Sequence, residues 1–80
     1  MLIKVKMPVL GDMTQAVLVR EWISQVGDRV AEGSPLMLVE TDKVDAEVPS
    51  PAAGVVAEHL VSPEDEVETG AFICVIDSSG

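Results

Sequence analysis

The sequence is poor in the residues that reinforce small proteins and in those that bind polyanions. Its 80 residues include one cysteine, one histidine, one tryptophan, one phenylalanine and no tyrosine. Cys74 alone cannot form an internal disulfide, and Cys74 with His59 is too small a set for a metal site of three or four side-chain ligands. We therefore expect one small domain, stabilised by regular packing, with Cys74 buried and unreactive in "FICVID".

Basic residues are also scarce, since five Lys and Arg face 14 Asp and Glu and give a net charge of −9. Nucleic acids and anionic membranes are bound through basic patches, so neither is an expected partner. No apolar run has the length of a membrane span, and the first 12 residues lack the pattern of a signal peptide. A soluble, monomeric domain is expected.

Short β-rich segments separated by glycine and proline fill most of the chain. Residues 2–7 alternate, with Ile3, Val5 and Met7 on one face and two lysines on the other. Further strands are predicted at residues 36–41, 44–48, 54–61 and 72–77. The segment "QAVLVREWISQV" also fits helical spacing, but its β-branched residues favour a strand.

An internal repeat supports the strand assignment. When the sequence is shifted by 37 positions, residues 17–40 align with 54–77, and apolar positions stay in phase. Each copy is a strand, a turn with the pattern Asp-x-Val-x-x-Gly, and a second strand. The prediction is an all-β flattened barrel or sandwich of two four-stranded antiparallel sheets with pseudo-two-fold symmetry. The identical pairs are Val19/Val56, Glu21/Glu58, Asp28/Asp65, Val30/Val67 and Gly33/Gly70.

Lys43 lies at the junction of the two copies, in "VETDKVDAEV". A two-residue turn at Asp42-Lys43 would join two antiparallel strands, with Val39 and Val48 inward and Asp42, Lys43 and Asp45 outward. Pro49 and Pro51 would end the second strand. The sequence thus predicts that Lys43 stands at a hairpin tip.

Catalysis by the chain itself is disfavoured. His59 is the only histidine and aligns with Trp22, which indicates a structural position on a strand edge. No phosphate-binding glycine motif is present. Acidic neighbours and exposure keep the Lys43 amine protonated, so it is a poor nucleophile but a suitable substrate for a modifying enzyme. The alternative is an ordinary solvated turn lysine.

The segment "ETDKV", preceded by "VGDRVAEGSPLMLVE" and followed by "EVPSPAAGVV", resembles the lipoyl domains of 2-oxo acid dehydrogenase complexes. The opening "MPVLGDMTQAVLVREW" resembles the first strand, surface loop and second strand of that family, and its "MPVLGDMT" looks closer to the pyruvate- and acetoin-type domains than to the oxoglutarate type. The similarity covers residues 2–77. It implies a domain at 1–77, a linker or tail at 78–80, and a parent acyltransferase chain.

The resemblance implies a carrier that is not itself an enzyme, with lipoic acid in amide linkage to Lys43. The attachment enzyme would read Glu40, Thr41, Asp42 and Val44. A thiamine-diphosphate-dependent decarboxylase would recognise the surface loop. Further implied partners are the acyltransferase core and dihydrolipoyl dehydrogenase, in the cytoplasm of a bacterium or the mitochondrial matrix of a eukaryote. The loop residues are Leu10, Gly11, Asp12, Met13, Thr14 and Gln15.

Three departures from the family pattern leave the partner open. Val44 stands where alanine is usual, Gln15-Ala16 replaces Glu-Gly, and Glu64 replaces a common glycine, so "SPEDEV" is expected to turn differently from "QVGDRV". The competing interpretations are a biotin-carrier domain, which usually has methionine on both sides of its lysine, the larger lipoyl protein of glycine cleavage, and a β-sandwich interaction module without a cofactor.

Overall fold

The described part of the chain forms eight strands, all in antiparallel pairs. A computed structural model describes residues 1–8, 16–41 and 45–78 of the chain. The segment that also fitted helical spacing contains a strand, Val17–Trp22, as its β-branched residues predicted. Two strands of two residues each lie inside the segments predicted as turns, and that part of the prediction was wrong. The strands are β1 Leu2–Lys6, β2 Val17–Trp22, β3 Arg29–Val30, β4 Pro35–Glu40, β5 Asp45–Pro49, β6 Gly54–His59, β7 Glu66–Val67 and β8 Phe72–Asp77.

The strands form two four-stranded sheets, in the orders β1-β8-β6-β3 and β5-β4-β2-β7. Strands β2, β3 and β4 recur 37 residues later as β6, β7 and β8, and β1 occupies the place in its sheet that β5 occupies in the other. The predicted repeat and sheet architecture are therefore confirmed. Each half also contributes its two-residue strand to the sheet of the other half, since β3 pairs with β6 and β7 pairs with β2.

The core lies between the two sheets and is built from alternate residues of the strands. Val5 and Met7 of the first segment are buried while Lys4 and Lys6 are exposed, as predicted. Burying such a side chain stabilises the fold by about 1.5–3 kcal/mol. Most of these side chains occupy equivalent positions in the two halves of the repeat, so each half contributes a matching set of residues to the core. The fully buried side chains are Met7, Leu36, Met37, Ile73, Ile76, Val19, Val39, Val48, Val56 and Cys74.

The turns before β3 and β7 have the same conformation, although Gly27 of the first is Glu64 in the second. Both residues have positive φ, 96° for Gly27 and 75° for Glu64. The Asp28 carboxylate accepts the Gln25 N–H at 2.8 Å, and the carboxylate of Asp65 accepts the Ser62 N–H at 2.9 Å. The expectation that "SPEDEV" turns differently is wrong, because Asp65 and the hydrogen bond from the Glu64 N–H to the Val19 carbonyl of the neighbouring strand hold Glu64 in a conformation that favours glycine.

Trp22 and His59 stack on each other across the pseudo-two-fold axis. Their ring centroids are 3.6 Å apart and their planes differ by 5°. Trp22 Nε1 donates to the Val61 carbonyl at 3.0 Å, and His59 Nε2 lies 3.0 Å from the Ser24 carbonyl, which makes these two contacts equivalent in the repeat. A carbonyl can only accept, so Nε2 carries the hydrogen. Trp22 is the last residue of β2 and His59 is the last residue of β6, so both rings lie at strand ends and have structural contacts, in line with the structural position predicted for His59.

Candidate functional site

The β4–β5 strand pair ends beside the sequence in which Lys43 is found. The last pair in the register is Glu40 with Asp45. Asp42, Lys43 and Val44 lie outside the described residues, and the predicted two-residue turn lies there with them. The described flanks agree with the sequence prediction, because Val39 and Val48 are fully buried and Asp45 is exposed.

Glu40 and Thr41 are the described members of the predicted attachment motif. Glu40 is the last residue of β4, with an exposed side chain, and Thr41 is half-buried. The Glu40 carboxylate forms an ion pair with Arg20 of β2, with 3.5 Å between Oε2 and Nη1. Both side chains are about half exposed, so solvent screens the pair and its main effect is to orient Glu40 on the outer side of the sheet.

The predicted decarboxylase-recognition loop, Leu10 to Gln15, also lies outside the described residues, but both of its flanks are described. Before the loop, the Met7 N–H donates to the Ala71 carbonyl at 2.8 Å, in the turn that follows β7. After the loop, Val17 pairs with Val67 of β7, and Leu18 pairs with Glu40. The flanks of both predicted recognition segments therefore meet at one end of the molecule.

The opposite end of the molecule holds the two described chain ends. Pro35 pairs with Pro49 at the far end of β4 and β5, and Ser50 then leads toward β6. Val55 of β6 and Leu2 of β1 both pair with Asp77 of β8. The longest dimension of the molecule is 36 Å, and the described chain ends lie at the end of the strands opposite the Glu40–Asp45 pair.

The described residues offer little reactive chemistry of their own. Cys74 is completely buried, and desolvation raises the pKa of its thiol to about 11, which keeps it protonated. Among residues 1–8, 16–41 and 45–78, no group of three or more His, Cys, Asp or Glu side chains could hold a metal ion. No helix in this part of the chain could span a membrane.

The structure also shows a groove that sequence reasoning missed. It has a volume of about 500 Å³ and lies on the outer side of the β5-β4-β2-β7 sheet. The strand alternation could have placed Leu18 and Leu38 on one outer face, but the β-bulge between Val19 and Glu21 gave no readable signal. The lining residues are Leu18, Val19, Arg20, Glu21, Leu38 and Glu64.

Comparison with known proteins identifies relatives over nearly the whole chain. The chain is 42% identical, over 76 residues, to the dihydrolipoyllysine-residue acetyltransferase component of the pyruvate dehydrogenase complex of Corynebacterium glutamicum. The match covers 95% of this chain but only 11% of that relative. The chain thus spans about a tenth of the length of this bacterial protein.

Solved structures of other proteins share the fold. The lipoyl domain of the 2-oxoglutarate dehydrogenase complex from Azotobacter vinelandii matches with 29% identity and a TM-score of 0.74, over 98% of this chain and 99% of that one. The urea carboxylase of Kluyveromyces lactis matches with 22% identity and a TM-score of 0.81, over 96% of this chain and 6% of that one. The second likeness concerns the fold alone.

Family membership follows from the match that covers most of the chain. Residues 3–76 match the Biotin_lipoyl family, described as "Biotin-requiring enzyme". This range includes the eight described strands apart from one residue at each end. The chain belongs to the biotin/lipoyl attachment family.

Proposed function

We propose that this chain is a lipoyl carrier domain with lipoic acid amide-linked to Lys43. The observation that carries the proposal is the position of Lys43 in the sequence, two residues from Thr41 and two from Asp45, in the connection between the paired strands β4 and β5. The name of the acetyltransferase relative, which specifies a dihydrolipoyllysine residue, supports this cofactor over biotin. Asp42 and Val44 also replace the methionines usual in biotin carriers.

The described surroundings fit an attachment site for a long arm. Glu40 and Asp45 are exposed, and both strands are held by buried side chains, Val39 on β4 and Val48 on β5. Such a strand pair gives an attachment enzyme a rigid, accessible substrate. Glu40, Thr41, Asp42 and Val44 would provide its recognition surface.

The bound dithiolane would carry acyl groups and reducing equivalents among a thiamine-diphosphate-dependent decarboxylase, an acyltransferase core and dihydrolipoyl dehydrogenase. The protein would contribute display and tethering. The chain ends lie far from the Glu40–Asp45 pair, so a linker there would not crowd the arm, and a tether raises the local concentration of a carrier near its partners. The decarboxylase would recognise Leu10 to Gln15 at the end of the molecule where the flanks of this loop lie beside Glu40.

The wider context of the domain is also a proposal. We place the domain at residues 1–77 and a linker at 78–80, within an acyltransferase chain in the cytoplasm of a bacterium. Ser78 contacts the domain, since its N–H donates to the Met1 carbonyl at 2.9 Å. The acyl group would be identified by comparing reductive acylation of the lipoylated domain by pyruvate, 2-oxoglutarate, branched-chain and acetoin-type decarboxylases.

Intact-mass measurement after co-expression with a lipoate ligase and a biotin ligase tests the cofactor. We expect one lipoyl adduct, mapped to Lys43 by peptide mass and absent from Lys43→Arg, which keeps the charge. Lys4→Arg is the matched control, because Lys4 is another exposed lysine of a strand face and should leave the adduct in place. A biotin adduct would instead establish the biotin-carrier alternative. An unmodified wild-type chain would leave only the cofactor-free interaction module.

A further inference from the structure

The groove beside β2 and β4 combines aliphatic surface with charged walls. Leu18 and Leu38 are half-buried on the outer face, where they alternate with inward side chains. The other lining residues are buried Val19 and the exposed, charged residues Arg20, Glu21 and Glu64. Because Arg20 is paired with Glu40, its charge is largely offset, and Glu21 and Glu64 leave the groove acidic.

The internal repeat supplies a reference for this groove, since the same backbone occurs on the other sheet. Leu18 corresponds to Val55, Leu38 to Val75, Arg20 to Ala57 and Glu64 to Gly27. The β-bulge is repeated as well, between Val56 and Glu58. The larger leucines and the extra charges are therefore not needed to form this backbone, because the other half forms it without them.

Charge differs between the two outer faces in the same way. One row of paired residues runs across the sheet that bears the groove, from β5 through β4 and β2 to β7. In this row Asp45 pairs with Glu40, Glu40 with Leu18, and Leu18 with Glu66. The equivalent positions on the other face are occupied by Leu2, Asp77, Val55 and Arg29. Glu47 corresponds in turn to Lys4. Two acids of the first face are thus replaced by bases, and a third by leucine, on a backbone of the same architecture.

We propose that this groove is a docking site for a basic segment of a partner protein, which places an aliphatic side chain against Leu18 and Leu38. The inference rests on the proposed carrier function and specifies the partner chemistry, because a carrier must be recognised by the enzymes it visits. The Leu18–Glu40 pairing puts the groove at the end that leads into Lys43. The acids around the groove complement Lys and Arg side chains and favour rapid encounter with them.

The physical role of each part of the site can be separated. Leu18 and Leu38 would set affinity through apolar contact, whereas Glu64 and Glu66 would set the salt dependence of association. Removing one methylene from each leucine should weaken binding about tenfold in total. Reversing the charge at Glu66 should reduce the association rate at low salt and have little effect at high salt.

Substitution by the residue at the repeat-related position gives variants suited to the fold. The test variant combines Leu18→Val, Leu38→Val, Glu64→Gly and Glu66→Arg, each of which copies the other sheet. Val55→Leu on the other sheet is the control, since it adds a leucine outside the groove. Thermal unfolding of each protein establishes that it is folded before binding is measured.

Binding is measured by nuclear magnetic resonance titration of the unmodified full chain with three synthetic peptides. These are a Lys/Leu peptide, a Lys/Ser peptide of equal charge and a Glu/Leu peptide. We expect the Lys/Leu peptide to bind most tightly of the three. It should shift the amide resonances of Leu18, Leu38 and Glu64, and it should leave those of the repeat-related Val55, Val75 and Gly27 unchanged. It should bind the test variant at least tenfold more weakly than it binds the wild type. Equal binding of both lysine peptides, equal shifts on both faces, or shifts caused by self-association would overturn the proposal.

Lipoylated protein then separates the failure of this inference from the failure of the proposed function. We expect the test variant to receive its lipoyl adduct. Its kcat/KM for reductive acylation should be at least fivefold lower than that of the wild type, measured with the decarboxylase that acylates the wild type best. Val55→Leu should have the kcat/KM of the wild type. A fully lipoylated test variant with wild-type kcat/KM would refute the docking site and leave the carrier function intact. Absence of the adduct from the wild type would refute the carrier function.

Discussion

Replacing Glu64 with glycine should stabilise the fold, because Glu64 holds a backbone conformation that its own repeat partner fills with Gly27. Glu64 has a φ of 75°, and its N–H donates to the Val19 carbonyl at 2.7 Å. Glycine can keep this hydrogen bond, which belongs to the backbone. The side chain of Glu64 is exposed, so the substitution removes no packed core atoms. The expected change therefore comes from the backbone conformation.

The magnitude follows from two opposing terms. A non-glycine residue in the left-handed region costs roughly 1–2 kcal/mol, and this cost disappears in the variant. Glycine also gives the unfolded chain more freedom, which lowers stability by about 0.4–1 kcal/mol. The difference is an increase of about 0.5–1 kcal/mol in the free energy of unfolding, or about 2–8 °C in Tm for a domain of this size. Gly27→Ala should change stability by a similar amount in the opposite direction, since no atom lies within 4 Å of the added Cβ and only the backbone term acts.

Urea and thermal unfolding, followed by circular dichroism and by the fluorescence of Trp22, measure both changes. Trp22 is the single tryptophan of the chain and stacks in the folded state, so its signal reports on this packing. Glu64→Gln is the control for charge, because it keeps the side chain and the backbone cost. A Glu64→Gly protein no more stable than Glu64→Gln would refute the reasoning, and so would a stabilised Gly27→Ala.

Two further predictions concern the sheet with β6 and β8. Gly54→Ala should lower the free energy of unfolding by about 2–3 kcal/mol in urea melts, because an added Cβ would lie 2.9 Å from the Asp77 carbonyl carbon and from Ile76 Cγ2. Ala53→Gly is the control. If Gly54→Ala unfolds at the same urea concentration as the wild type, the backbone is not closely packed at Gly54. The raised pKa of Cys74, about 11 against 9.0, predicts that stability falls as pH rises from 9 toward 11, because the unfolded state releases its thiol proton first. The stability of Cys74→Ala should decline less steeply over that range. Alkylation of the folded wild type at pH 8 should be slow until urea is added. Equal declines in the two proteins, or rapid alkylation of the folded wild type, would show that the thiol is not buried.

Local pattern was sufficient for much of the architecture. Alternation identified the inward and outward residues of β1, and β-branched residues correctly favoured a strand over a helix for residues 17–22. The repeat then predicted two four-stranded sheets, because equal spacing of apolar and turn residues implies equal structural units. The position of Lys43 at the junction of the copies came from this comparison, and its proposed modification came from the "ETDKV" motif.

The errors arose where the structure depends on contacts between distant segments. Two-residue strands are too short to show a period, so β3 and β7 became visible only through pairing with β6 and β2. Glu64 could not be predicted to keep the glycine conformation, because the constraint comes from Asp65 and from the Val19 carbonyl across the sheet. The β-bulge that brings Arg20 and Glu21 to the groove likewise depends on the register between β2 and β4.

By itself, the sequence determined the six longer strands, which faces of them are buried, that the two halves are related, and which lysine is the candidate for modification. These properties depend on neighbouring residues and on comparison along the chain. Only the tertiary structure decided that the halves exchange their short strands, that Trp22 stacks on His59, and that Leu18, Leu38 and Glu64 line one groove. Side chains from three separate segments meet there because β4, β2 and β7 are neighbours in one sheet, and no local pattern contains that pairing.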